Sequence, residues 1–273
     1  MRIMKITTLR RIIPAAFILA LVFIPLEALS QRTKSSLSSG KQRNAEKGLK
    51  DNRYFFYFIN TSLTNLGADD EKKLFKEAIQ RDIIAQQLYM KFLFGESFNE
   101  ILKAQKILIG LYRRVLGSDI DMTIRLLNEF APAVLKSNDF LSRHYLRMGY
   151  RDAEDARIDM VMADNFRETL YSMRLYRYAK AIKKVKHGKR YAFFSELEAK
   201  KLHDKKKDLG RLDFDELKKL IGESAGADQK DFYLLIHTDN YYRSKDEKSF
   251  FDRVWEKPDL FEIKEYEEYL KIK

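Results

Sequence analysis

Cysteine is missing from this chain, proline occurs four times and glycine eleven times in 273 residues. Without cysteine there are no disulfides, thiolate metal sites, cysteine nucleophiles or lipid attachment at an N-terminal cysteine. So few turn-forming residues point to long helices. Histidine is also scarce. His144, His187, His203 and His237 are far apart, and none stands in an HExxH or HxH frame. The chain has no GxxxxGK[ST] loop, no GxGxxG after a strand and no GxSxG elbow. Asp119 and Asp121 lack the glycine and the distal glutamate of a calcium loop. No cofactor, metal or catalytic residue is therefore expected. Acidic pairs such as Asp152 with Asp155 or Glu196 with Glu198 are ordinary on helix surfaces, although two carboxylates at the right separation can run glycosidase chemistry.

Apolar content is ample, at 45 % hydrophobic and 34 % charged residues, enough to bury a core and solvate the outer helix faces. The expected fold is mainly α, a bundle of antiparallel helices with a smaller C-terminal appended element. Asn138 to Phe194 organises it. Leu141, Tyr145 and Met148 share one helical face, Ala153, Ala156, Met160 and Ala163 a second, and Tyr171, Leu175, Tyr178 and Ile182 a third. Three helices are read from these faces. Upstream, Asp69-Asp70-Glu71 opens a helix to about Phe94, with Gly95 as its stop. Ser97 and Glu100 form a capping-box pattern for a helix ending at Gly117. Another runs from Ser118 or Asp119 to Phe130, near Pro132, and Asn138 or Asp139 caps the next. Downstream, Asp213 caps a helix ended by Gly222. Asp231 to Thr238 suits a strand or a buried helical turn equally, and Pro258 breaks the tail before a last helix.

At the N-terminus, Arg2, Lys5, Arg10 and Arg11 precede an uncharged run from Ile12 to Ile24, with small residues at Ala28 and Ser30. This is the layout of a signal peptide cleaved after Ser30. The apolar run of 13 residues spans about 20 Å, short of the roughly 30 Å hydrocarbon core. The expected mature protein is periplasmic and has no membrane span. The domain plan is 1–30 signal peptide, 31–50 disordered basic arm, 51–211 helical bundle and 212–273 C-terminal helical and aromatic extension. The arm reads as disordered because Leu37 and Leu49 are its only large apolar residues.

Two stretches stand out as candidate contact surfaces. Tyr54, Phe55, Phe56, Tyr57 and Phe58 form the densest aromatic run, explained by core packing or by partner docking. The second is basic. Leu170 to Arg211 carries fourteen Lys and Arg against four Asp and Glu, a net +10 within a chain of +12. Arg174, Arg177, Lys180 and Lys184 follow at helical steps, and Lys183, Lys186, Lys189 and Arg190 broaden the stripe. It reads either as a solvated face or as a surface for an acidic protein. Tyrosines interleave it, but the export signal argues against nucleic acid as a partner.

The segment LYMKFLFGESFNEILKAQKILIGLYRRVL from Leu88, followed by HYLRMGYRDAEDARIDMVMADNFRETLYSMRLYRYAKAIKKVKHGKRYAFF from His144 to Phe194, resembles the flagellar-coiling proteins of spirochaetes. That resemblance implies an exported, non-enzymatic, mainly helical protein of the sheath around the periplasmic flagellar filament. Its partners would be other sheath and filament proteins, with self-association in a lattice, and an asymmetric coat would bias filament curvature and so motility. Two alternatives from other classes stay open: an exported helical binding protein for an acidic protein or cell-wall ligand, and a periplasmic enzyme.

Overall fold

The structure, a computed structural model, describes residues 26–202 and 208–272. The chain begins with five long helices: α1 (Leu26–Leu66), α2 (Asp69–Met90), α3 (Phe94–Ser137), α4 (Phe140–Asp164) and α5 (Tyr171–Lys200). Four short ones follow: α6 (Phe214–Ser224), α7 (Lys230–Asn240), α8 (Phe250–Glu256) and α9 (Tyr266–Lys271), with single 3₁₀ turns at Leu209–Arg211 and Leu260–Glu262. The described residues contain no strand. Asp231 to Thr238 is helical.

Several starts lie where the sequence places them. Asp69, Asp70 and Glu71 occupy the first turn of α2. Asp213 caps α6 by accepting from the backbone N–H groups of Asp215 and Glu216, at 2.9 and 2.8 Å. Asp139 caps α4 through Ser142 N at 2.7 Å, while Asn138 ends α3 in the left-handed conformation.

Other boundaries move because burial overrides local signals. Gly95 and Gly117 both lie inside α3, which at 44 residues is about 66 Å long. A glycine inside a helix costs about 1 kcal/mol. The buried series Leu116, Ile120, Thr123 and Leu127 continues in register across Gly117 and outweighs it. Pro132 is also carried within α3. Ser97 and Glu100 make no capping box: both are buried, Ser97 Oγ donates to Ala85 O at 2.8 Å, and Glu100 pairs with Arg81 at 2.9 Å. The three helices expected between 138 and 194 are two, since α4 runs through Gly149. There the lack of a side chain lets α4 approach α5. A Cβ on Gly149 would stand 3.3 Å from Gly188 O, and one on Gly188 would stand 3.2 Å from Gly149 O.

The disordered arm expected at 31–50 is helical and belongs to α1; residues 1–25 of the expected signal peptide lie outside the described residues. Small residues do what large apolar ones could not. Ala45 is buried with Ala85 and Ile101, and a Cβ on Gly48 would stand 2.8 Å from Ile101 Cγ2, so α1 seats close against α3. The larger core joins α1, α2, α3 and α5 around Phe55, Ile59, Phe75, Tyr112 and Tyr178, and a second joins α3 and α5 to α6 and α7 around Phe130, Phe193 and Tyr233. The C-terminal element packs on its own bundle. Leu260 and Ile263 bury against Ile84 and Leu88, and Val254 joins the main core.

Candidate partner-binding surface

The basic stripe begins where α5 lies antiparallel to α4. Because both are helices, acidic residues four apart on α4 meet basic residues three and four apart on α5. Arg177 Nη1 lies 3.0 Å from Asp159 Oδ1, and Lys180 Nζ lies 3.6 Å from the same oxygen. Lys184 Nζ reaches Asp159 Oδ2 at 2.8 Å and Asp155 Oδ2 at 3.4 Å. Burial alone would raise the Asp159 pKa, but Lys184, Lys180 and Arg177 together hold it below the ordinary carboxylate value. Arg174 is buried and donates to Ala163 O at 3.2 Å. Lys183 donates to Tyr54 Oη at 3.0 Å and stands 4.3 Å from the centre of the Phe58 ring.

Farther along α5, two of the predicted surface lysines are wholly inside the protein. Lys186 Nζ donates to Asp239 Oδ1 at 2.7 Å, Asp239 O at 2.8 Å and Thr61 Oγ1 at 3.1 Å. Lys189 Nζ donates to Asp119 Oδ1 at 2.9 Å and Asp239 Oδ2 at 3.4 Å. Two buried cations thus face two buried carboxylates contributed by α3 and α7. Burial works to raise Asp239, yet the two ammonium groups hold its pKa below the usual carboxylate value. Lys186 and Lys189 are corrected from interface candidates to structural ions. Among the eight stripe residues, Arg190 alone has neither an ion-pair nor a hydrogen-bond partner among the described residues; its guanidinium stands 5.1 Å over the Tyr241 ring.

The aromatic run is also largely internal. Phe55, Phe56 and Phe58 are buried and Tyr54 is half-buried, so core packing accounts for four of the five positions. Tyr57 differs: it points outward with 58 % exposure. It shares a groove of about 360 Å³ with Arg53, Phe251 and Trp255, between α1, α2 and α8. Trp255 is 41 % exposed and stacks on Phe251 at 5.6 Å, and Phe251 packs on Phe56 at 5.4 Å. Asn60 secures this edge, donating to Ser249 Oγ at 2.9 Å and accepting from Phe251 N at 3.2 Å. At the floor, Asp82 is buried and accepts from Asn52 Nδ2 at 2.7 Å and Gln86 Nε2 at 2.9 Å. Burial pushes its pKa up to about 6 despite those donors and nearby Arg53.

Trp255 is the residue that sequence reasoning left out of the candidate surfaces. Its spacing of four from Phe251 was the available signal, but only the folded chain brings the pair to Tyr57. An exposed tryptophan beside a tyrosine and an arginine has the composition of a protein-binding hot spot. Among the described residues, no cluster of His, Asp or Glu is placed to hold a metal ion, and no helix is long and apolar enough to cross a membrane.

A protein-family model described as surface protein adhesin OmpL37 matches residues 39–269, which includes α1 from residue 39, α2 to α8 and both candidate surfaces. No curated protein and no solved structure matches the chain.

Proposed function

The chain belongs to the OmpL37 family of surface adhesins, and from that membership we propose that it is a non-enzymatic binding protein displayed outside the cytoplasm, which engages partner proteins through the groove of Tyr57 and Trp255. The family match over residues 39–269 carries this reading. The groove supports it physically. Its aromatic edge is exposed yet backed, since Trp255 stacks on Phe251 and Phe251 packs on the buried Phe56 of α1, so little conformational entropy is lost on docking. Asp82 at its floor has both oxygens engaged by amide donors, an arrangement that holds the carboxylate still.

The flagellar-sheath reading is narrower in its support. It rests on the resemblance of Leu88–Phe194, and the stripe it relied on for lattice contacts is mostly paired within the subunit. One experiment separates the two. Antibody labelling of intact cells is compared with immunoblots of purified periplasmic flagella. The adhesin reading expects labelling of unpermeabilised cells and no enrichment with the filaments. Filament enrichment without surface labelling would overturn it and restore the sheath. Tyr57→Ala with Trp255→Ala is expected to abolish cell-surface-dependent attachment while leaving display unchanged.

A further inference from the structure

A second cleft lies between α4, α5, the turn at Asp208–Gly210 and Tyr241 at the end of α7, away from the groove. It encloses about 310 Å³ and is lined by Tyr145, His187, Arg190, Tyr191, Asp208 and Tyr241 among others. Within it Arg190 sits over Tyr241 at 5.1 Å, and beside it, outside the lining, Arg243 sits over Phe214 at 4.0 Å. The two rings touch edge to face at 5.5 Å, and His237 lies between 4.7 and 4.9 Å from both. Each guanidinium therefore rests against an aromatic ring. Neither has an ion-pair or hydrogen-bond partner for its side chain among the described residues. This contrasts with the paired cations elsewhere on α5.

A guanidinium backed by an aromatic ring matches a planar carboxylate, which it can grip with two parallel hydrogen bonds. The cleft also contains an acceptor. Asp208 Oδ1 takes Gly210 N at 2.9 Å and Tyr145 Oη at 3.3 Å, and its carboxylate forms part of the wall. A sulfated or phosphorylated polymer presents mainly acceptors and leaves that wall unmatched, whereas a peptide's backbone N–H groups can donate there while its acidic side chains face Arg190. We propose that this cleft binds an acidic peptide segment of a partner protein, with a carboxylate on Arg190 and a neighbouring acidic residue on Arg243.

His187 supplies a reporter. Burial and Arg190 lower its pKa, opposed by Asp152, and Asp208 with the three tyrosines also faces the cleft. A carboxylate bound at Arg190 would offset that cation and raise the His187 pKa. The inference does not depend on the aromatic groove, because Tyr57 and Trp255 lie outside this cleft.

The test uses the full-length protein, calorimetric titration and the imidazole C–H resonances. The probes are a peptide of one tyrosine and six glutamates, the same peptide with six glutamines, and heparin. The glutamate peptide is expected to bind at least about tenfold more tightly than the glutamine peptide, and to raise the His187 pKa. Arg190→Gln is expected to weaken binding at least about tenfold, and Arg190→Lys to weaken it also, since the charge stays but the fork is lost. Both variants should unfold near the wild-type temperature. Equal binding of the two peptides, no binding of either, or wild-type binding by Arg190→Gln would overturn the proposal. Heparin binding without glutamate-peptide binding would overturn it too, and assign the cleft to sulfated polymers.

Discussion

Lys189 and Arg190 are neighbours in the chain and opposites in the fold. Lys189 lies in the core against Asp119 and Asp239, whereas Arg190 rests against Tyr241 in the lining of a cleft, without a carboxylate partner among the described residues. The same contrast runs along all of α5. Arg177, Lys180, Lys184, Lys186 and Lys189 each meet a carboxylate from another helix. A basic count along a helix therefore measures two different things. Some of the charge holds the fold together, and only the remainder can meet a partner. What decides between them is whether an acidic residue from α3, α4 or α7 arrives opposite, and that is set by tertiary packing.

The largest effect is expected at the buried end of α5. Asp239→Asn leaves two buried ammonium groups facing one carboxylate, and urea unfolding should show a loss of about 3–5 kcal/mol. A loss below about 1 kcal/mol would mean that water reaches the lysines. Asp82 offers a buried acid held by amides, with no cation in contact. Its folded pKa of about 6 lies above the ordinary 3.8, so the folded state binds the proton more tightly than the unfolded chain. Stability from this group is present below about pH 4 and is lost as pH rises through about 6, by up to about 3 kcal/mol. Asp82→Asn should flatten that slope in pH-dependent unfolding; an unchanged slope would assign it to another group.

Smaller effects are expected at the seam between α4 and α5. Gly188→Ala places a Cβ 3.1 Å from Thr123 Cγ2 and 3.2 Å from Gly149 O. Overpacking should exceed the gain in helix propensity and lower stability by about 1–2 kcal/mol, read from the thermal midpoint. Asp159→Asn removes the shared partner of Arg177, Lys180 and Lys184, which are partly solvated, so the loss should be about 1 kcal/mol. Since Asp159 is held below its ordinary pKa, its contribution is present above about pH 4 and fades as pH falls further. Arg190→Gln should lower stability by no more than about 1 kcal/mol, since its contact with the Tyr241 ring is all that is lost.

The helical class, the acidic first turn at Asp69 and the caps at Asp139 and Asp213 were legible in the sequence, because they depend on neighbours in the chain. Helix ends marked by Gly95 and Gly117 were misread, since a local signal worth about 1 kcal/mol yields to a buried face that continues past it. The arm at 31–50 was misread for the opposite reason. Its Ala45 and Gly48 look too small to stabilise anything, but smallness is what lets α1 close on Ile101. At the candidate surfaces, residue types were right and directions were not. Five consecutive aromatics on a helix cannot share one face, so Phe55, Phe56 and Phe58 turned inward and left Tyr57 outside. Trp255 joined Tyr57 across nearly two hundred residues, a distance no pattern within α8 encodes.

The division of charge along α5 can be measured directly by lysine acetylation of the folded protein, with the modified positions read by mass spectrometry. Lys186 and Lys189 are expected to resist the reagent while exposed Lys180 and Lys218 react quickly. In urea all four should react alike. Modification of Lys186 and Lys189 in the folded protein as fast as Lys218 would contradict it, placing those lysines on the surface and returning the whole stripe to the pool of partner contacts.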